Sequence, residues 1–113
     1  MKTVDKIWGR EELLINTELY CAKYLYINPG YQTSFHYHKL KDETFIVISG
    51  FLNLILDSQI VYLTQGGCGI HRLKPNTNHQ LRNLAVSELK VLEISTNHKD
   101  SDSYRITKGG EIQ

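Results

Sequence analysis

Between Gly30 and Gly50 the chain reads GYQTSFHYHKLKDETFIVISG. Its first half alternates. Ser34, His36 and His38 fall on one side of an extended backbone and Thr33, Phe35 and Tyr37 on the other, because successive side chains of a strand point to opposite faces. Two imidazoles at i and i+2 stand about 7 Å apart at the backbone and can converge on one ion. Glu43 opens the next apolar run after the loop KLKD, and a hairpin there would return its carboxylate to the two histidines. In LKPNTNHQLRN, His79 follows the Pro75-Asn76 turn and starts another strand. The spacing therefore predicts a metal centre built from His36, His38, Glu43 and His79.

The rest of the chain is strand-like as well. LYCAKYLYIN, TFIVIS, FLNLIL, QIVYLT, GIHRL and LKVLEIS are short and rich in β-branched and aromatic residues. Turn chemistry separates them, at Asn28-Pro29-Gly30, Ser49-Gly50, Asp57-Ser58 and Gly66-Gly67. Many short strands at close spacing predict an all-β sandwich or barrel. Helical character is confined to a turn near Arg10-Glu11-Glu12. A length of 113 residues without linker or repeat predicts one domain over 1–113.

With 13 basic and 12 acidic residues the chain is nearly neutral, so no global field recruits nucleic acid or an anionic membrane. The opening MKTVDKIWGREELL has no apolar segment of signal-peptide length, and no window approaches the roughly 20 apolar residues of a span. A soluble, cytoplasmic protein is expected. Cys21 and Cys68 form no Cys-x-x-Cys pattern, which argues against a disulfide framework and a thiolate zinc site, and leaves both as free, buried thiols.

Gly30, five residues, His36-x-His38, four residues, Glu43, six residues and Gly50 resemble the first motif of the cupins. Pro75, His79 and Asn83 stand where the second motif has Pro, His and Asn. Asn76 replaces its glycine, and asparagine tolerates the left-handed backbone that glycine serves there. KIWGREE, SFHYHKLKDE and EISTNHKDSDSYRI extend the similarity to the cupin domain of type II phosphomannose isomerases. The resemblance implies a double-stranded β-helix, or jelly-roll barrel, and a divalent ion (Mn, Zn, Fe or Ni). It also implies a sugar or sugar phosphate as the ligand, aldose–ketose isomerisation and pairing into a homodimer. A chain of 113 residues leaves no room for the nucleotidyltransferase domain that often accompanies that cupin, so the isomerase half is the activity expected. The family's basic residue two before the metal-site glutamate falls on Lys41.

Three imidazoles and one carboxylate would leave a dication with net positive charge and open positions for a bidentate hydroxy-carbonyl compound. Such an ion would acidify the C–H of an aldose or ketose and stabilise the enediolate. A base and an acid are then needed. Lys41 and His71 are candidates for proton transfer, and Tyr24, Tyr26 and Arg72 for contact with the substrate. Arg82 is out of phase with His79 and Asn83 and is expected to face solvent. Asn83 is expected to fix its loop, Trp8 to anchor a core or dimer contact, and His98 to sit in a solvated loop. The same ligand set would also serve a metal-dependent cupin oxygenase, and a non-catalytic carbohydrate-binding cupin is a third possibility. Thr44, Ile46 and Ile48, on the side of their strand opposite Glu43, Phe45 and Val47, predict a face covered by a second sheet or by a partner subunit.

Overall fold

The computed structural model describes residues 2–66 and 69–113. In chain order the strands are β1 (Lys2–Lys6), β2 (Gly9–Asn16), β3 (Cys21–Ile27), β4 (Tyr31–Gln32), β5 (Phe35–Tyr37), β6 (Glu43–Ser49) and β7 (Phe51–Leu56). They continue with β8 (Ile60–Thr64), β9 (Ile70–Leu73), β10 (His79–Arg82), β11 (Leu89–Ser95), β12 (Tyr104–Thr107) and β13 (Gly110–Glu111). A 3-10 turn at Asp100–Asp102 is the only helical element among the described residues. No helix there is long and apolar enough to cross a membrane.

Alternation along these strands builds two facing sheets. The first runs β1-β2-β3-β11-β6-β9. In the second, β10 is central, with β7 and then β8 on one side. On its other side lies the interrupted strand β4/β5, itself flanked by β13 and β12. Every described pairing is antiparallel, and the long crossovers between sheets make this a jelly roll, the double-stranded β-helix. The break between β4 and β5 is closed by Thr33, whose N–H donates to the Leu81 carbonyl at 2.9 Å and whose hydroxyl accepts from the Leu81 N–H at 3.0 Å. Gly109 lies against that break: a Cβ there would come within 2.7 Å of the Ser34 nitrogen, so only glycine lets the chain pass.

Inward-facing positions run from polar to apolar along each central strand. On β6 the order is Glu43, Phe45, Val47; on β3 it is Lys23, Leu25, Ile27; on β11, read backwards, Glu93, Val91, Leu89. β10 repeats it with His79 followed by Leu81. The apolar ends close on Trp8, Leu52, Leu54, Leu63 and Leu73 to form the core. Each large side chain buried there contributes about 1.5–3 kcal/mol. The polar ends face a cavity at the other end of the barrel.

Three expectations change. Arg10-Glu11-Glu12 lies within β2 rather than in a helical turn, because tertiary pairing with β3 overrides local preference. The segment after Ser95 contributes the 3-10 turn and two short strands, so it is not simply a solvated loop. The second sheet covers the Glu43, Phe45, Val47 side of β6, leaving Ile46 half-buried and Ile48 exposed on the outside. Cys21 is free and buried; Gly67 and Cys68 lie outside the described residues.

Asn76 adopts φ 67°, and its N–H donates to the His38 carbonyl at 2.6 Å, so this left-handed turn ties β10's approach to His38, just past the end of β5. Asn76→Gly should preserve the melting temperature. Asn76→Val should destabilise the fold by about 1–2 kcal/mol, read by thermal or urea unfolding, since a β-branched residue resists positive φ.

Candidate metal centre

His36 and His79 face each other in register across β5 and β10, and His38 follows two residues along the same face. One ring nitrogen from each of His36, His38 and His79 lies within 4.8 Å of the others. Glu43, at the start of β6, brings Oε2 to 3.4 Å from Nε2 of both His38 and His79. The three imidazoles therefore meet, and Glu43 reaches two of them from the facing sheet.

The rings are held by their far nitrogens. Nδ1 of His36 meets the Ser34 carbonyl at 2.9 Å, that of His38 the Asp102 carbonyl at 2.8 Å, and that of His79 the Thr77 carbonyl at 2.9 Å. A carbonyl only accepts, so each Nδ1 carries the proton and each Nε2 presents a lone pair. The Nε2 of His79 is enclosed and has no hydrogen-bond partner among the described residues. At 3.4 Å the Glu43 contacts are too long for hydrogen bonds. They do match the roughly 3.4 Å between two ligands each about 2.1 Å from a common ion at a tetrahedral angle. An enclosed lone pair without a donor, with a carboxylate at that spacing, fits a divalent cation.

Electrostatics point the same way. Burial pushes all three imidazoles down to about 4, with neighbouring His79, Lys41 and His38 adding to the effect on His36, His38 and His79 respectively. They are neutral at pH 7. Burial first, then the charge of Glu93, pushes Glu43 up to about 8 in the metal-free protein. Beneath these residues, Glu93 is placed opposite Lys23 by the β3–β11 register. Its carboxylate accepts from Lys41 Nζ at 3.1 Å, and Lys23 also reaches Glu11 at 3.6 Å. Burial opposes the charge on Glu93, but Lys23 and Lys41 outweigh it and hold the carboxyl well below its usual range.

A cavity of about 440 Å³ opens above the cluster, lined by the three histidines, Glu43, Lys41, Lys23 and Glu93, with Phe45 and Leu81 at its apolar wall. Of the other sequence-derived candidates, Lys41 lines this cavity. His71 pairs in register with Phe45 but sits on β9, at the edge of its sheet, and is not part of the lining. Tyr24 and Tyr26 alternate with inward Lys23 and Leu25, so they face outward, beneath Lys90 and Arg10. Arg72 is exposed and paired with Asp42. The structure does not bring these four to the cavity. Asn83 is fully buried and fixes its loop, donating to the Ile27 and Ser87 carbonyls and accepting from the Ala85 N–H. Trp8 joins the core and the cavity wall. Arg82 donates to Gln32. His98 lines the cavity and contacts Asp100 at 2.9 Å, which corrects its assignment to a solvated loop. Glu93 and Lys23 were not singled out from the sequence, although the alternation of LKVLEIS and CAKYLYI puts both on the inward face.

A jelly-roll barrel with inward histidines from its β5 and β10 strands is a cupin. The chain belongs to the mannose-6-phosphate isomerase C-terminal family, whose model matches residues 1–107. Among solved structures it is similar to KdgF from Halomonas sp., with 17% identity, a TM-score of 0.78, and coverage of 89% of this chain and 92% of that one. It is similar too to the capsular polysaccharide assembling protein CapF from Staphylococcus aureus, with 19% identity and a TM-score of 0.82. That match covers 94% of this chain but only 32% of CapF. A protein from Planctomyces limnophilus matches at 16% identity and a TM-score of 0.75, over 92% of this chain and 89% of its own. At such identities the likeness shows the fold alone. No curated protein matches the chain.

Because burial and Glu93 push Glu43 up in the metal-free protein while the histidines are neutral at pH 7, a dication entering the site should displace a proton from Glu43. Calorimetric titration of Zn²⁺ at pH 7 in buffers of different ionisation enthalpy should show that release in the wild type and none in Glu43→Gln. As pH falls toward 4 the imidazoles take up protons and zinc affinity should collapse.

Proposed function

We propose that this chain is a metal-dependent isomerase of a sugar or sugar phosphate, of the aldose–ketose type, with His36, His38, Glu43 and His79 as metal ligands. The observation that carries the reading is the convergence of three oriented imidazoles and one carboxylate in a cavity whose floor also holds a buried lysine. A bound divalent ion would supply Lewis acidity, polarising a carbonyl and favouring loss of the proton on the neighbouring carbon.

The chain's own residues supply the rest. Lys41 is fixed by its bond to Glu93, so its ammonium is available as a donor toward a sugar oxygen in the cavity. Phe45 and Leu81 narrow the water-accessible space next to the histidines. Lys6, Arg105 and Lys108 are exposed residues that line the cavity, and none has an acidic partner within ion-pair distance among the described residues. That unpaired positive charge suits the anionic end of a sugar phosphate. Family membership favours the same substrate class.

A homodimer is part of the reading. Ile46, Leu92 and Ile94 lie on the outer face of the first sheet, half-buried or exposed, with Ile48 and Ile70 exposed beside them. A second copy would cover this face; a light-scattering mass of one chain would contradict it.

The metal-loaded protein should interconvert mannose 6-phosphate and fructose 6-phosphate without oxygen. Lys41→Gln should keep its metal while kcat falls about 10²–10⁴-fold. Oxygen consumption with substrate would replace this reading with oxygenase chemistry, and tight sugar binding without turnover would make the chain a binding protein.

A further inference from the structure

Between His38 and Glu43 the chain has only four residues in which to turn from the second sheet to the first. The conformation of that loop sets where both ligands sit. Three of its four backbone N–H groups are held by one side chain from far along the sequence, and the fourth, that of Asp42, donates to the Thr96 hydroxyl at 3.1 Å. The carboxylate of Asp102 accepts from the N–H of Lys39 at 2.9 Å, of Leu40 at 3.2 Å to each oxygen, and of Lys41 at 3.0 Å. The carbonyl of the same residue receives Nδ1 of His38 at 2.8 Å.

Asp102 is buried, 5% exposed, and has no cationic side chain within ion-pair distance among the described residues. Its charge is instead met by three consecutive N–H groups, the arrangement that makes a backbone concavity an anion site. Without the carboxylate those donors, including that of buried Lys41, would have no acceptor here. Asp102 is also the one buried residue of its 3-10 turn, whose other members lie in solvent. Upstream, Thr96 is bonded to the Asp42 backbone at the far end of the same loop, and Asn97 and His98 are anchored on Asn16 and Thr17. Downstream, Tyr104 pairs with Tyr37; between these anchors the turn itself meets the loop through Asp102, so its docking and the shape of the loop share those contacts.

We propose that Asp102 is a positioning residue of the metal centre and that the turn Asp100–Asp102 is a latch. Its docking orients His38, fixes the loop 39–42 and so completes the site. Metal uptake and latch closure form a single linked equilibrium, because an ion that binds the docked form more tightly stabilises that form by mass action. The proposal rests on the reading of His36, His38, Glu43 and His79 as metal ligands.

The test is hydrogen–deuterium exchange of the whole chain, with and without Zn²⁺, beside calorimetric zinc affinity, for wild type, Asp102→Asn, Asp102→Glu and Ser101→Ala, each checked for folding by circular dichroism. In the wild type, Zn²⁺ should slow exchange at Lys39, Leu40 and Lys41 together with residues 97–103. Asp102→Asn should remove that protection and weaken zinc binding about 10–100-fold. Asp102→Glu should recover part of both, and Ser101→Ala should match the wild type. Zinc affinity of Asp102→Asn within about twofold of wild type, or unchanged protection of the loop, would overturn the proposal. If the wild type takes up no Zn²⁺, the metal reading fails separately. The latch is then judged on the metal-free exchange, where loss of loop protection in Asp102→Asn upholds the positioning role and unchanged protection refutes it. Should Asp102→Asn not fold, Asp102→Glu decides by the same two readouts.

Discussion

A carboxylate taken out of water has to be met by charge or by donors, and at the polar end of this barrel Glu93 is met by Lys23 and Lys41. Losing one partner of such a buried set typically costs about 3–5 kcal/mol, because the charge left behind is uncompensated. Lys41 and Glu93 are therefore fixed relative to each other, with the charge of Lys23 beside them and its own contact to Glu11, and the rest of the site is built on them. Lys41 is held at the cavity floor. The negative charge of Glu93 adds to burial in pushing Glu43 up. The three imidazoles stay neutral with their lone pairs turned inward. A site in this condition lacks an acceptor for those lone pairs, which is what a dication provides.

The same barrel resolves its two ends differently without changing its strand pattern. On β3, β6, β10 and β11 the inward parity is preserved from end to end while the chemistry passes from ionisable to apolar. The core secures the strands, and the strands hold the ligands in place. His36 faces His79 because a β5–β10 pair puts them opposite each other. Ser95 faces Glu43 because the β6–β11 pair fixes that register. Rigid elements thus carry three of the ligands or their immediate neighbours, and His38 alone sits just past a strand end, where Asp102 takes over the positioning.

What could be read from the sequence follows from period two. His36 and His38 share a face by parity alone, and Glu43 and His79 follow from the turns that precede them. The same rule placed Phe45 and Val47 inward. The same period also puts Glu93, between Val91 and Ser95, and Lys23, between Cys21 and Leu25, on the inward face. It argued equally against Tyr24 and Tyr26, which alternate with inward residues, and against Arg72, next to inward Leu73. His71 has the inward parity but lies at a sheet edge, and edge position is set by topology rather than by pattern. The contribution of Asp102 was not legible, because NHKDSDS has no periodicity and its partner loop lies some sixty positions upstream.

The most direct test of the metal centre is X-ray absorption at the zinc edge of the loaded protein, beside His79→Ala. The account predicts three imidazole nitrogens and a carboxylate oxygen at about 2.0–2.2 Å in the wild type, and one imidazole fewer in the variant. Fewer than three imidazoles in the wild type, sulfur coordination, or an unchanged spectrum in His79→Ala would contradict it.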